Sequence, residues 1–204
     1  MTAFTFTGLK RMARATVAVT VLLVMSACGT AMKPEDFANT TPRFQPETYF
    51  DGKVKAWGIF EDRFGKLRRQ FTVDIDGKWD GKTLVLDERF VYSDGEKQRR
   101  VWTIEKVDDN SYTGKADDVI GTAKGRSFGN SLSWAYEMDL KVGDGAWRVS
   151  FDDWMFLQPG GVVINRAVVR RWGIEIGTVT LSFMPQSMLK DEEHAELFVP
   201  RAAE

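Results

Sequence analysis

The chain has 204 residues, with 28 Lys and Arg against 29 Asp and Glu. That length suits one domain with a real core, and the balanced charge leaves no positive field to gather phosphate backbones, which argues against a nucleic-acid partner. One Cys and one His exclude an internal disulfide and the usual His and Cys metal sites, so neither metal nor cofactor is expected unless an all-carboxylate site forms.

Lys10, Arg11 and Arg14 precede an apolar run from Ala15 to Met25, followed by Ser26-Ala27-Cys28-Gly29. This is the order of a secretory signal, and the run is about half of the ~20 residues that span a bilayer as a stable helix. Small residues before Cys28 resemble the lipobox of bacterial lipoproteins, in which the Cys thiol carries a diacylglycerol and becomes the first mature residue. The bland alternative, a signal cut after Ala27 that leaves a free thiol, exposes an unpaired Cys in an exported protein. Residues 1–27 are therefore read as the signal peptide. Cys28 is read as the lipidation site that tethers the protein to a membrane, and residues 28–46, rich in Pro, Thr and Asn, as lipidated Cys and linker. Gly29 stands where an Asp would resemble an inner-membrane retention signal, which points to the periplasmic side of the outer membrane.

From Phe50 onward, alternating runs are broken by short turn signals: Asp76-Gly77, Asp80-Gly81, Asp94-Gly95, Asp109-Asn110, Gly143-Asp144-Gly145 and Pro159-Gly160-Gly161. Phe71, Val73 and Ile75 alternate with polar residues, as do Trp134, Tyr136, Met138, Leu140 and Val142, and as do Val179, Leu181 and Phe183. Seven Trp and fourteen Phe suit such pleated, half-buried surfaces. The pattern predicts an all-β, antiparallel, up-and-down barrel of roughly nine to ten strands over residues 47–186, because closure removes the exposed edges of so long a meander. A two-sheet sandwich is the alternative. Residues 187–204 form an acidic tail or a short C-terminal helix that contains His194, where no nucleophile motif accompanies it.

An ordered series runs Trp57-Gly58, Asp62-Arg63-Phe64-Gly65, Phe71-Thr72-Val73-Asp74, Trp79-Asp80-Gly81 and Arg100-Val101-Trp102. It resembles the bacterial lipoproteins grouped as domain of unknown function 3833, over essentially the whole chain. The resemblance implies a lipocalin-like barrel and a link to membrane lipid metabolism. Gly77-Lys78-Trp79 has the letters of the lipocalin Gly-x-Trp signature but follows a strand instead of sitting on the first one.

Several constellations bear on chemistry. One face of residues 162–172 reads Val162, Ile164, Arg166, Val168, Arg170, Trp172, and one face of residues 84–92 reads Leu84, Leu86, Glu88, Phe90, Tyr92. Arg166 and Arg170, with Glu88, are thus candidates to hold a fatty acid or lipid headgroup inside the barrel, unless they sit at its rim or face outward. At Asp152-Asp153-Trp154 the alternation changes phase, which predicts a β-bulge, and Asp152 and Asp153 form an alternative acid–base pair or a structural rim pair. Gly121, Gly125 and Gly129 flank Lys124 and Arg126 without the ending of a phosphate loop, and suit bends in a curved strand. Together these readings favour a binding module for a small apolar or amphiphilic molecule over an enzyme acting on envelope lipid or glycan, or a ligand-free scaffold that binds an unidentified protein.

Overall fold

The computed structural model describes residues 32–143 and 145–189. The signal segment, Cys28, His194 and the tail beyond Leu189 lie outside the described residues, so the expected C-terminal helix does too. Among the described residues the chain ends in the 3-10 turn Gln186–Met188.

Ten strands follow one another: β1 (Gly52–Asp62), β2 (Leu67–Trp79), β3 (Thr83–Tyr92), β4 (Lys97–Lys106), β5 (Ser111–Lys115), β6 (Val119–Phe128), β7 (Ser131–Val142), β8 (Gly145–Leu157), β9 (Val163–Arg171) and β10 (Ile174–Pro185). Each pairs antiparallel with its sequence neighbour, and β1 pairs with β10 from Val54↔Pro185 to Asp62↔Gly177, so the sheet is a closed up-and-down barrel. It is lipocalin-like, and the closing pair rules out a sandwich. Turn chemistry sets the hairpins. Asp62, Asp80 and Asp94 each accept backbone N–H groups two to four residues on, at 2.7–3.1 Å, the Asx arrangement that starts a tight turn. Asp76-Gly77 is no turn but lies within β2. A Cβ on Gly77 would sit 1.7 Å from the Phe50 carbonyl oxygen, so the glycine lets the chain cross the sheet there.

One end of the barrel is closed by residues expected to be linker. From Pro34 the chain packs against the wall. Phe37 lies 5.8 Å from Trp154 and 5.4 Å from Phe156 between ring centroids, and the Phe44 N–H donates to the Gly129 carbonyl at 2.7 Å. Phe44 is fully buried, a contribution of about 2–3 kcal/mol from its burial. A one-turn helix, Pro46–Tyr49, then places Tyr49 and Phe50 edge-on to one another and Phe50 edge-on to Phe183 across the barrel floor. The buried Glu47 carboxylate accepts from Lys106 at 2.6 Å and from the Tyr112 hydroxyl at 2.8 Å, fastening the plug to β4 and β5. Burial works against the Glu47 charge, but these donors outweigh it and hold its pKa below the usual value.

Inside, the lower half is filled. Trp134 stands over β5 and β6, where a Cβ on Gly125 would sit 2.3 Å from its ring and one on Gly114 2.6 Å. Gly125 therefore makes room for an indole, and Lys124 and Arg126 beside it point to solvent. Gly121, at φ +71°, sits where the β6–β7 register shifts.

Candidate functional site

Above this floor the barrel holds a cavity of about 930 Å³ that reaches the opposite end, where Glu96, Lys97 and Gly143 contribute to its lining. Ten strands enclose a wider lumen than eight, so side chains alone need not fill it. Its walls are largely aromatic, with Phe71, Phe90 and Tyr92 on one side and Trp102, Tyr136 and Phe151 on the other. Tyr136 and Phe151 stack at 5.0 Å, with Trp102 edge-on to Tyr136 at 5.3 Å. At the rim, Arg69 lies over the Tyr92 ring at 3.7 Å and is paired with Asp94 and Glu96, both at 2.8 Å.

Polar groups enter this apolar space at mid-height. Glu88 on β3 points inward, as the alternation of its strand predicts, and lies opposite Arg100 of β4. Arg100 is gripped by Asp118 through two nitrogens, Nε at 3.0 Å and Nη2 at 2.8 Å. The topology explains how they meet. β5 is short and pairs with β4 only from Thr103 to Lys106, so the wall beside the upper half of β4 is notched and the Asp118 side chain bridges it. Burial opposes the Arg100 charge, but Tyr136, Glu88 and Asp118 hold it firmly protonated.

Deeper lie Asp153 of β8 and Asn165 of β9, only 5% and 3% exposed. Their Oδ1 atoms have no hydrogen-bond partner among the described residues. Burial pushes the Asp153 pKa up to about 8, with the Asp152 and Glu88 charges adding to the rise and Arg100 opposing it. Glu88 is likewise raised to about 7, by burial first and by the nearby acids Asp118 and Asp87, against the pull of Arg100. Buried Tyr136 is pushed well above its ordinary value.

Two sequence expectations are corrected by the placement of side chains. Arg166 and Arg170 do not enter the barrel. On β9 the inward set is Val163, Asn165, Ala167 and Val169, while Arg166 is exposed and Arg170 lies 3.7 Å from Asp152 on the outer wall. Both faces of β9 are rich in Val and Ile, so alternation alone does not say which is buried. The expected bulge at Asp152-Asp153 is absent, since β7 and β8 pair without a break from Ser131↔Phe156 to Val142↔Gly145. The two carboxyls therefore point to opposite faces, Asp152 out and Asp153 in. The apparent phase change arises because Trp154 and Phe156 are covered from outside by Phe37. Arg100, Asp118 and Asn165 are site residues the sequence does not single out; the one signal among them is the phase Gln98, Arg100, Trp102, Ile104, a charge aligned with apolar neighbours.

A family model described as a protein of unknown function, DUF3833, matches residues 22–185. The chain belongs to that family. The series that carries the resemblance falls, in this DUF3833 protein, on β1 and the β1–β2 turn, on β2 and its turn, and on the strand bearing Arg100 and Trp102. No match is found among curated proteins. Among solved structures, the S-type phycobiliprotein lyase CPES from Guillardia theta is similar, with a TM-score of 0.47 and 10% identity over 75% of this chain and 92% of that one; so distant a likeness does not bear on function.

Proposed function

We propose that this DUF3833 protein is a lipid-anchored binding module of the bacterial envelope, tethered through Cys28 to the periplasmic face of the outer membrane, which holds one lipid or other amphiphile in its barrel. The observation that carries the reading is the cavity of about 930 Å³, closed below by Phe44, Tyr49 and Phe50 and walled by aromatic rings. That size lies within the range of small-molecule pockets, and an apolar wall with few polar groups is what an amphiphile requires. The chain enters the barrel at its plugged end, so the mouth is at the end opposite the entry.

Native mass spectrometry of the full-length protein isolated from membranes tests the binding. A discrete mass released on denaturation, beyond that of the modified N-terminus, is expected. Bare protein in repeated preparations, with no uptake of an added amphiphile, refutes it. The anchor has its own test: Cys28→Ser is expected to abolish labelling by radioactive palmitate, and retained labelling refutes lipidation. A second reading, acid–base catalysis on a bound envelope lipid or glycan, is favoured by two inward carboxyls, Glu88 and Asp153, whose pKa values lie near neutrality. It requires turnover that falls in both Glu88→Gln and Asp153→Asn.

A further inference from the structure

We propose that the molecule held in this barrel carries a cationic, hydrogen-bond-donating head, an alkylammonium in chemical class, seated among Glu88, Asp153 and Asn165. The inference rests on the binding reading above and specifies what the site selects.

The charge inside the cavity is already arranged. Arg100, the cation at mid-height, is neutralised by the bidentate grip of Asp118. The other cations lining the space, Arg69, Lys97, Arg99 and Lys141, sit near the ends of their strands at the rim. A ligand carboxylate reaching mid-height would therefore meet no free positive partner among the described residues and would face two further carboxyls. Acceptors, in contrast, are in excess. Asp153 and Asn165 each present a buried Oδ1 without a donor, and the Glu88 carboxyl receives no hydrogen bond from the described residues around it. Unmatched buried acceptors are expensive to leave so; Glu88 lies within electrostatic reach of Asp153, Asn165 is on the strand paired with that of Asp153, and a ligand bearing several N–H donors suits acceptors so grouped. Aromatic rings add to the preference, because Phe90, Trp102, Tyr136 and Phe151 line the same space and ring faces attract cations. Phe90 already lies 5.6 Å beneath the Arg100 guanidinium.

The test is isothermal titration of the full-length protein in phosphatidylcholine nanodiscs, with empty discs as the blank, using octylammonium, octanol and octanoate as probes of one chain length. Octylammonium is expected to bind about tenfold or more tightly than the other two, the worth of a charge-assisted hydrogen bond. Glu88→Gln and Asp153→Asn, each checked for native near-ultraviolet circular dichroism, are expected to erase most of that preference by weakening octylammonium binding far more than octanol binding. Should Asp153→Asn not fold, Glu88→Gln alone decides. Octanoate binding most tightly, or all three binding alike, overturns the head-group assignment and leaves the binding module standing. No heat above the blank from any probe overturns the binding module itself.

Discussion

Replacing Asp153 by Asn removes a carboxyl that burial keeps protonated while no ligand cation lies beside it. In the folded barrel its pKa is about 8, against an ordinary 3.8. The native state therefore retains a proton through a pH range in which the unfolded chain has lost it. Stability from this group is fully present below about pH 4, declines as the pH rises, and is gone above about 8. At about 1.4 kcal/mol per pH unit, the interval corresponds to about 6 kcal/mol. Urea denaturation of wild type and Asp153→Asn at pH 4, 6 and 8.5 measures it. Near pH 4 the two proteins differ by no more than about 1 kcal/mol, whereas at pH 8.5 the variant is the more stable by about 6 kcal/mol. Taking the difference cancels every other titrating group that the substitution does not touch. A gap of equal size at both ends of the range would refute the buried, protonated carboxyl. Glu88 shares the site and titrates together with Asp153, so the gain from Glu88→Gln plus Asp153→Asn should fall short of the sum of the two.

Arg100→Met leaves Asp118 without its guanidinium at the notch in the wall and costs about 3 kcal/mol, while adding Asp118→Asn recovers part of the loss; a double-mutant cycle by urea denaturation reads the coupling. Glu47→Gln weakens the hold of the plug by about 2 kcal/mol at pH 7. Because the Glu47 pKa is lowered in the fold, that difference exists above the ordinary glutamate value and disappears as the pH falls through the folded one, which pH-dependent melting curves follow. Gly125→Ala drives a methyl into the Trp134 ring and destabilises by about 1–3 kcal/mol, with a changed near-ultraviolet circular dichroism band. Arg166→Ala, on the outer wall, leaves the bound mass in native mass spectrometry unaltered.

The strands of the barrel, their number and the inward residues of β2, β3, β7 and β10 were legible in the sequence, because alternation with period two is a local property of a chain with one wet and one dry face. The Asp-Gly turns at Asp80 and Asp94 were legible for the same reason, since an Asx turn is made by neighbours. The reading of a leader and of lipidation at Cys28 rests on equally local patterns and stands as part of the proposal. Tertiary structure alone decided the site. β9 carries aliphatic residues on both faces, and only its place between β8 and β10 selects Asn165 for the interior and sends Arg166 outside. Trp154 and Phe156 look like a change of phase until Phe37, more than a hundred positions away, covers them. Arg100 and Asp118 meet because β5 is too short to fill the wall between them, and Glu47 finds Lys106 and Tyr112 because the chain before β1 folds across the barrel floor. These are contacts between distant segments, set by closure of the sheet, and no periodicity along the chain encodes them.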